Sequence, residues 1–308
     1  MRAARYDRYG DSDVLSITDD APEPLLGPDA VLVAVRAAGV NPVDTKVRRG
    51  YLEGAFLSYL PIIPGWDAAG VVEAVGPAVT EFTVGDEVIG YVRKDYIQHG
   101  TAAERVAAPV RALAAKPREV TFTQAASLPL AGLTAIQMLE AARVHDDDLV
   151  LVHAASGGVG HLAVQLARAR GARVIGTASE ANHDFLRSLG AEPVTYGEGL
   201  PERVRDLGHE SVDASLDLAG GEALEQSFAL TREAGRVVSI LDASTVLNRG
   251  GRYVFVRPDA TQLTELGTLV DTGAVRPQIA ATYPLEQIAQ AHDQQEAGHV
   301  RGKLVLEI

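Results

Sequence analysis

The sequence predicts an α/β protein built on a doubly wound parallel sheet, with a β-rich segment ahead of it. Three observations predict this. From residue 149 to about 256, apolar strand-like runs alternate with helical segments, the pattern that yields a parallel sheet covered on both faces. The run beginning Leu149-Val150-Leu151-Val152 is continuously apolar, as a strand buried on both faces must be. Residues 1–110 instead carry short apolar runs broken every few residues by Pro or Gly, such as Pro22, Pro24, Gly27, Pro28, Pro61, Pro64 and Gly65. That spacing suits a small barrel or sandwich.

Taken in order, residues 31–40 predict a strand leading to a turn at Asn41-Pro42, and residues 70–76 and 84–91 predict short strands. The character changes near residue 117. Residues 121–127 read as a capped helix start that continues as an apolar helix from Leu128 to Ala142. Then come strand 149–155, helix 158–170, strand 173–177, helix 181–189, an extended stretch 192–196, strand 212–218, helix 222–232, strand 236–241 and a last strand 253–256. The tail predicts a helix over 260–271, a short strand near Ile279, a helix over 285–296 and a final strand over 303–308.

Composition narrows the function. The chain has 308 residues, 46% of them hydrophobic, and a formal charge of −13. Phosphate-backbone binding needs clustered Lys and Arg, so nucleic acid and anionic membrane surfaces are poor partners. There is no cysteine, which removes disulfides, thiolate catalysis, iron–sulfur clusters and Cys-ligated zinc. The N-terminal residues lack the apolar core of a signal peptide, and no apolar run approaches the ~20 residues of a membrane span. The expectation is a soluble, cytoplasmic protein.

The strongest motif is the corner Ala155-Ser156-Gly157-Gly158-Val159-Gly160, between a buried strand and a helix. A helix N-terminus presents free N–H groups and a positive dipole end. Glycines there admit a pyrophosphate without obstruction from Cβ atoms, which predicts dinucleotide binding. Ala155 stands where the first glycine of the usual fingerprint would be. A rival reading takes Ser156 as the nucleophile of a strand–turn–helix elbow, with Asp217 and His292 following in the order a serine hydrolase requires. The barrel-like stretch ahead of the elbow speaks against it. The second strand of the alternating region ends Thr177-Ala178-Ser179, without the Asp or Glu that holds the ribose of NAD. Thr177 and Ser179, with His183 and Tyr196 nearby, therefore predict NADP (NADPH). Glu180, and the absence of Lys or Arg before Arg187, pull the other way, and Ser179 also suits a helix cap. Ligands sit above the carboxyl ends of parallel strands, which adds Leu218, Ala219, Ser239, Ile240, Phe255, Val256 and Arg257 to the cofactor groove, with Lys303 near the pyrophosphate as a further candidate. The sequence His145-Asp146-Asp147-Asp148 precedes a buried strand and reads as a solvated loop, not a metal site.

These residues carry a resemblance. Ala37-Ala38-Gly39-Val40-Asn41-Pro42-Val43-Asp44, the run Leu60–Val72 containing Pro64-Gly65-Trp66-Asp67, Val84–Val88, Leu128–Ala135, Ala154–Gly160 and Arg301–Leu306 occur in the order found in the zinc-independent medium-chain dehydrogenase/reductases, in their quinone oxidoreductase branch. The resemblance implies a Rossmann doubly wound parallel sheet inserted in a GroES-like β-rich catalytic domain, with the catalytic domain over 1–120 and 271–308 and the NADP-binding domain over 121–270. It implies a homodimer, here expected through the sheet edge at Tyr253–Val256. It places Asn41 and Thr134 by the nicotinamide, Asp44 beside Asn41, and Tyr51 close to the proton-donating tyrosine of related enoyl reductases. Asn41, Asp44 and Tyr51 are thus the candidate catalytic residues. Each has a plainer reading: Asn41 shapes a turn, Asp44 pairs with Lys46 or Arg48, and Tyr51 is a rim aromatic. Where the zinc branch has Gly-His-Glu, this chain has Gly65-Trp66-Asp67, and no metal site is expected. The function predicted is NADPH-dependent reduction of quinones or α,β-unsaturated carbonyls. The alternatives are an NADPH-binding protein with a non-redox role and, further off, a serine hydrolase.

Overall fold

The computed structural model describes all 308 residues. The chain forms two compact units, one of residues 1–130, 258–272 and 277–308, the other of residues 131–257 and 273–276. Residues 121–130 and 258–270, which the sequence assigned to the dinucleotide-binding segment, pack within the first unit instead.

The first unit begins with β1 (Ala3–Arg5) and β2 (Ser16–Thr18), an antiparallel pair. β3 (Ala30–Val40) is its spine. Alternate side chains along the first part of β3 are buried, the period-two pattern of a half-covered strand. A helix α1 (Pro42–Arg48) follows at once. The expected turn at Asn41-Pro42 is this helix's start: Asn41 is its N-cap and Pro42 its first residue, where a missing N–H and a fixed φ suit a helix. Next come β4 (Leu57–Ile63), β5 (Asp67–Val75), β6 (Glu87–Tyr91), β7 (Tyr96–His99), β8 (Arg105–Pro109) and β9 (Leu113–Ala115). β5 runs antiparallel along β3 on one side, while β8 and the last strand of the chain share its other side. A short helix α2 (Phe122–Ala126) is capped by Thr121 and Gln124. It ends before Pro129, since the residue preceding a proline avoids helical backbone. α3 (Pro129–Ala141) then starts anew, so the helix expected to start at residues 121–127 and continue to Ala142 is two helices, the second close to the expected Leu128–Ala142.

The second unit is a six-stranded, all-parallel sheet: β10 (Leu149–Val152), β11 (Arg173–Thr177), β12 (Glu192–Val194), β13 (Ala214–Asp217), β14 (Val237–Ser239) and β15 (Arg252–Tyr253), in spatial order β12-β11-β10-β13-β14-β15. This is the order that reverses beside the first strand and opens a crevice there. Its helices are α4 (Gly160–Ala169), α5 (His183–Ser188), α6 (Leu200–Asp206), α7 (Glu222–Leu230) and α8 (Ala243–Asn248). The strand expected over 253–256 is only Arg252–Tyr253; Val254 continues as irregular chain, although its N–H still reaches Ser239 O. The loop 145–148 is an acidic turn, with Asp148 accepting from the Arg236 guanidinium.

The tail returns to the first unit as α9 (Ala260–Asp271), β16 (Ile279–Pro284), α10 (Ile288–Ala297) and β17 (Lys303–Glu307). β17 lies antiparallel to the end of β3, pairing Leu304 with Val40. That register sets Lys303 beside the start of α1. No helix is long and apolar enough to cross a membrane.

Candidate active site

In the first unit the β3–α1 junction holds a cluster of four buried polar residues, Asn41, Asp44, Asp67 and Lys303. Three strands and a helix converge on it. Asp67, the first residue of β5, pairs with Gly39 of β3. A Cβ on Gly39 would stand 2.9 Å from Asp67 Oδ2 and 2.5 Å from the Ala126 carbonyl oxygen, so only glycine leaves room for the carboxylate. Asp67 Oδ1 accepts from the Leu130 N–H at 2.7 Å, and Oδ2 accepts from Asn41 Nδ2 at 2.9 Å. The Lys303 ammonium donates to Val40 O at 2.9 Å and to Asn41 Oδ1, and lies 3.7 Å from Asp67 Oδ2. An ammonium has only donors, so the Asn41 amide oxygen must face it and the NH2 must face Asp67. The asparagine is thereby fixed in one orientation. Asp44 Oδ2 accepts from the Asn41 backbone N–H at 2.8 Å, the reach-back of a capping box.

The electrostatics of the cluster follow from burial. Loss of water pushes the Asp44 carboxyl up to about 7; the Asn41 N–H resists this and the nearby Asp67 charge adds to it. Burial also pushes Asp67 up, against the pull of Lys303 and Asn41, and pushes the Lys303 amine down, against the pull of both carboxylates. Asp44 does not pair with Lys46 or Arg48. Arg48 is wholly buried and donates from Nη2 to Glu296 Oε1 on α10 at 2.7 Å. Tyr51 lies in the turn after α1, is 70% exposed and takes no part in the cluster. Lys303 belongs to this cluster and not to the phosphate turn, as the sequence had suggested. Asp67 was absent from the expected site; its only sequence signal was its place after Gly65-Trp66 in the resembling motif.

In the second unit the corner between β10 and α4 has the expected form. Ala154 adopts φ 46°, a left-handed conformation that non-glycine residues accept at a cost of about 1–2 kcal/mol. Ala155 N donates to Thr177 O at 2.9 Å, and Ala154 N donates to Thr177 Oγ1 at 3.1 Å. A Cβ on Gly160 would stand 2.3 Å from Ala154 O and 2.6 Å from Ala155 Cα, so this glycine lets α4 close onto the turn. Ser156, Gly157, Gly158 and Val159 are partly exposed, and the N–H groups of Gly158 and Val159 make no hydrogen bond within the chain. Ser156 has no histidine bonded to it, Asp217 is engaged by its own loop, and His292 lies in the other unit. The hydrolase arrangement is not formed.

The other candidates divide by burial. Thr134, Ala155, Gly160, Thr177 and Ser239 are buried. The Thr177 hydroxyl ties the turn to β11, and Ser239 Oγ donates to Asp217 Oδ2 at 2.7 Å. They shape the crevice rather than face it. Asp217 in turn accepts from the N–H groups of Ala219 and Gly220, fixing the loop that carries Leu218 and Ala219. Ile240 and Val256 are half-buried, Phe255 and Arg257 are exposed, and Gln137 clasps the Arg257 backbone through two hydrogen bonds. At the end of β11, Ser179 is half-buried and its hydroxyl makes no capping bond; it accepts only from Asn182 Nδ2 at 3.2 Å. The His183 Nε2 atom is buried without a partner. Tyr196 is 52% exposed on a loop held by Arg203, whose guanidinium donates to the carbonyls of Thr195, Tyr196, Gly197 and Glu198. Nothing in the sequence singled out Arg203. The donors at hand — two unused N–H groups, a serine hydroxyl and an orphaned imidazole nitrogen — suit a dinucleotide bearing an extra phosphate. No group of three or more His, Asp or Glu side chains stands where it could hold a metal ion.

With this geometry, the chain belongs to the medium-chain dehydrogenase/reductase family, in its quinone oxidoreductase-like branch. Residues 27–118 match the alcohol dehydrogenase GroES-like domain and residues 189–306 a zinc-binding dehydrogenase domain. Among individual proteins, it is 36% identical over 315 residues to the chloroplastic NADPH-dependent alkenal/one oxidoreductase of Arabidopsis thaliana, covering 99% of this chain and 79% of the relative. The quinone oxidoreductase structure from Coxiella burnetii superposes with a TM-score of 0.90 at 35% identity, covering 100% of this chain and 99% of that one. A mycobacterial protein solved in complex with NADPH matches with a TM-score of 0.86 at 31% identity, over the full length of both chains.

Proposed function

We propose that this protein is an NADPH-dependent reductase of α,β-unsaturated carbonyls and quinones that works without zinc. When bound, NADPH supplies the hydride. The chain's own residues bind, orient and handle the proton. The unused N–H groups of Gly158 and Val159, at the head of α4, receive the pyrophosphate. Ser179, His183 and Tyr196 receive the 2′-phosphate, which a carboxylate at the end of β11 would repel. The acceptors are already electrophilic at a conjugated carbon, so polarisation by a metal is not required. Addition of hydride there leaves an electron-rich oxygen and calls for one proton. Asp44, pushed up to about 7, is matched to hold and deliver that proton near neutral pH. It replaces exposed Tyr51 as the preferred donor.

The observation that carries this reading is the buried Asn41–Asp44–Asp67–Lys303 cluster, in which burial raises the Asp44 carboxyl beside Asp67, the residue of the stretch that resembles the zinc branch's Gly-His-Glu. Its support is the named activity of the Arabidopsis relative and of the Coxiella structure. The test is loss of nicotinamide absorbance when NADPH is mixed with 3-penten-2-one or 1,4-naphthoquinone. Turnover of either supports the reading. Tight NADPH binding without turnover of a broad acceptor panel would favour a non-redox role instead. A homodimer through the sheet edge at β15, and residence in the cytoplasm, complete the proposal. Light scattering at micromolar concentration should give twice the chain mass.

A further inference from the structure

The cleft beside Asp44, where the proposed reaction would place its acceptor, carries two basic side chains that this reading leaves unused, Lys94 and His99. This cleft of about 340 Å³, including its open mouth, is bounded by Asp44, Val47, Trp66, Lys94, Tyr96 and His99. Within it the space that the centre of a water-sized group can occupy is about 10 Å³, near the lower limit for a bound water. Lys94, in the loop between β6 and β7, lines it half-buried and makes no ion pair or hydrogen bond within the chain. His99, at the end of β7, faces the same space close enough to feel the Lys94 charge. Burial and that charge both hold its imidazole below the usual histidine range, and burial does the same to the Lys94 amine. Asp44 is the one acid on the lining, and its carboxyl is engaged by the Asn41 N–H and largely protonated below neutral pH. Neighbouring Asp95 is exposed and does not line the cleft. A cation kept from water without an anion is costly, and two basic side chains converging on one cleft leave an anion to be supplied from outside.

We propose that Lys94, assisted by His99, is a carboxylate-binding site that gives the acceptor cleft a preference for unsaturated carbonyl compounds bearing an acid group. The proposal rests on the reductase reading for its acceptor class. One carboxylate oxygen takes the water-sized space of the cleft that Lys94 lines, and the carbon chain runs past Trp66 and Tyr96 toward the mouth.

The test compares trans-4-oxo-2-pentenoate with its methyl ester, using the full chain and NADPH. The acid should be preferred at least tenfold in kcat/KM. Lys94→Met should collapse that ratio toward one, and Lys94→Arg should keep most of it. Equal kcat/KM for acid and ester in the unmodified protein, or an unchanged ratio in Lys94→Met, would overturn the proposal. Binding separates this idea from the reductase reading. By calorimetry, 4-oxopentanoate should bind at least tenfold more tightly than its methyl ester, and these saturated probes have no conjugated carbon to accept hydride. Acid-selective binding without any turnover supports the Lys94 site and contradicts the reductase reading. Turnover without acid-selective binding does the reverse.

Discussion

Asp44 shows how one buried side chain sets a pH window. Its carboxyl moves from 3.8 to about 7 because burial removes the water that would solvate its charge. Between those values the folded protein holds a proton that the unfolded chain has released. Stability from this group is therefore greatest at low pH and declines as pH rises through roughly 4 to 7. The acid form that the proposed proton delivery would use is present below about 7 and lost above it. We expect kcat/KM for an enone to fall with pH above about 7. Asp44→Asn should flatten that limb and lower the rate by about 10²-fold, in the range general acids contribute; a pH–rate profile of both proteins checks this. In the proposed 2′-phosphate site, electrostatics at Ser179 would set cofactor choice. Ser179→Asp places a carboxylate against a phosphate, so NADPH affinity should drop at least tenfold while NADH affinity changes little, as fluorescence titration would show. Both residues could be singled out from their places in the sequence. The sequence did not reveal the raised carboxyl of Asp44, since that follows from burial in the folded chain and from the charges of Asp67 and Lys303, which lie far from it in sequence.

At the scale of elements, two contacts decide whether the site keeps its shape. Gly160 lets α4 close on the phosphate turn. A Cβ there would meet backbone atoms within 3 Å, and backbone cannot swing aside as a side chain can. Gly160→Ala should cost about 2 kcal/mol, as overpacking does, and weaken NADPH binding at least tenfold. Chemical denaturation and titration measure the two effects. At the other site, α1 is tied to α10 through Glu296, which accepts from both Arg48 and Arg49. Those guanidinium groups hold its carboxyl down at about 2. Arg48 is fully buried and has no other partner, so Glu296→Ala strands its charge and should destabilise the protein by about 3 kcal/mol. Helices and strands with strong periodicity were legible: α9 has the bounds read from its pattern, and β3, β10 and β11 lie within a few residues of theirs. The short elements were not. β1, β2, β4, β7 and β8 are held by long-range pairing rather than by local pattern, and α1, α6 and α8 are too brief to show a period. Asn41-Pro42 read as a turn because the same two residues start turns and helices alike.

At the scale of the whole molecule, alternation of strand and helix was enough to foresee the parallel sheet, and the ordered motifs were enough to foresee the family. The domain limits were less visible. Residues 121–130 and 258–270 are helical like their neighbours, and only their packing assigns them to the first unit. The four polar residues of the candidate site lie at positions 41, 44, 67 and 303, and no local reading could join the last to the first. The proposed function turns on hydride transfer from NADPH to a conjugated carbon. NADPH deuterated at both C4 positions, mixed with 3-penten-2-one and followed by mass and NMR analysis of the product, reads this step. The expected product is 2-pentanone with one deuterium, bound to the carbon β to the carbonyl. Recovery of unreduced enone, or of product without deuterium at that carbon, would contradict it.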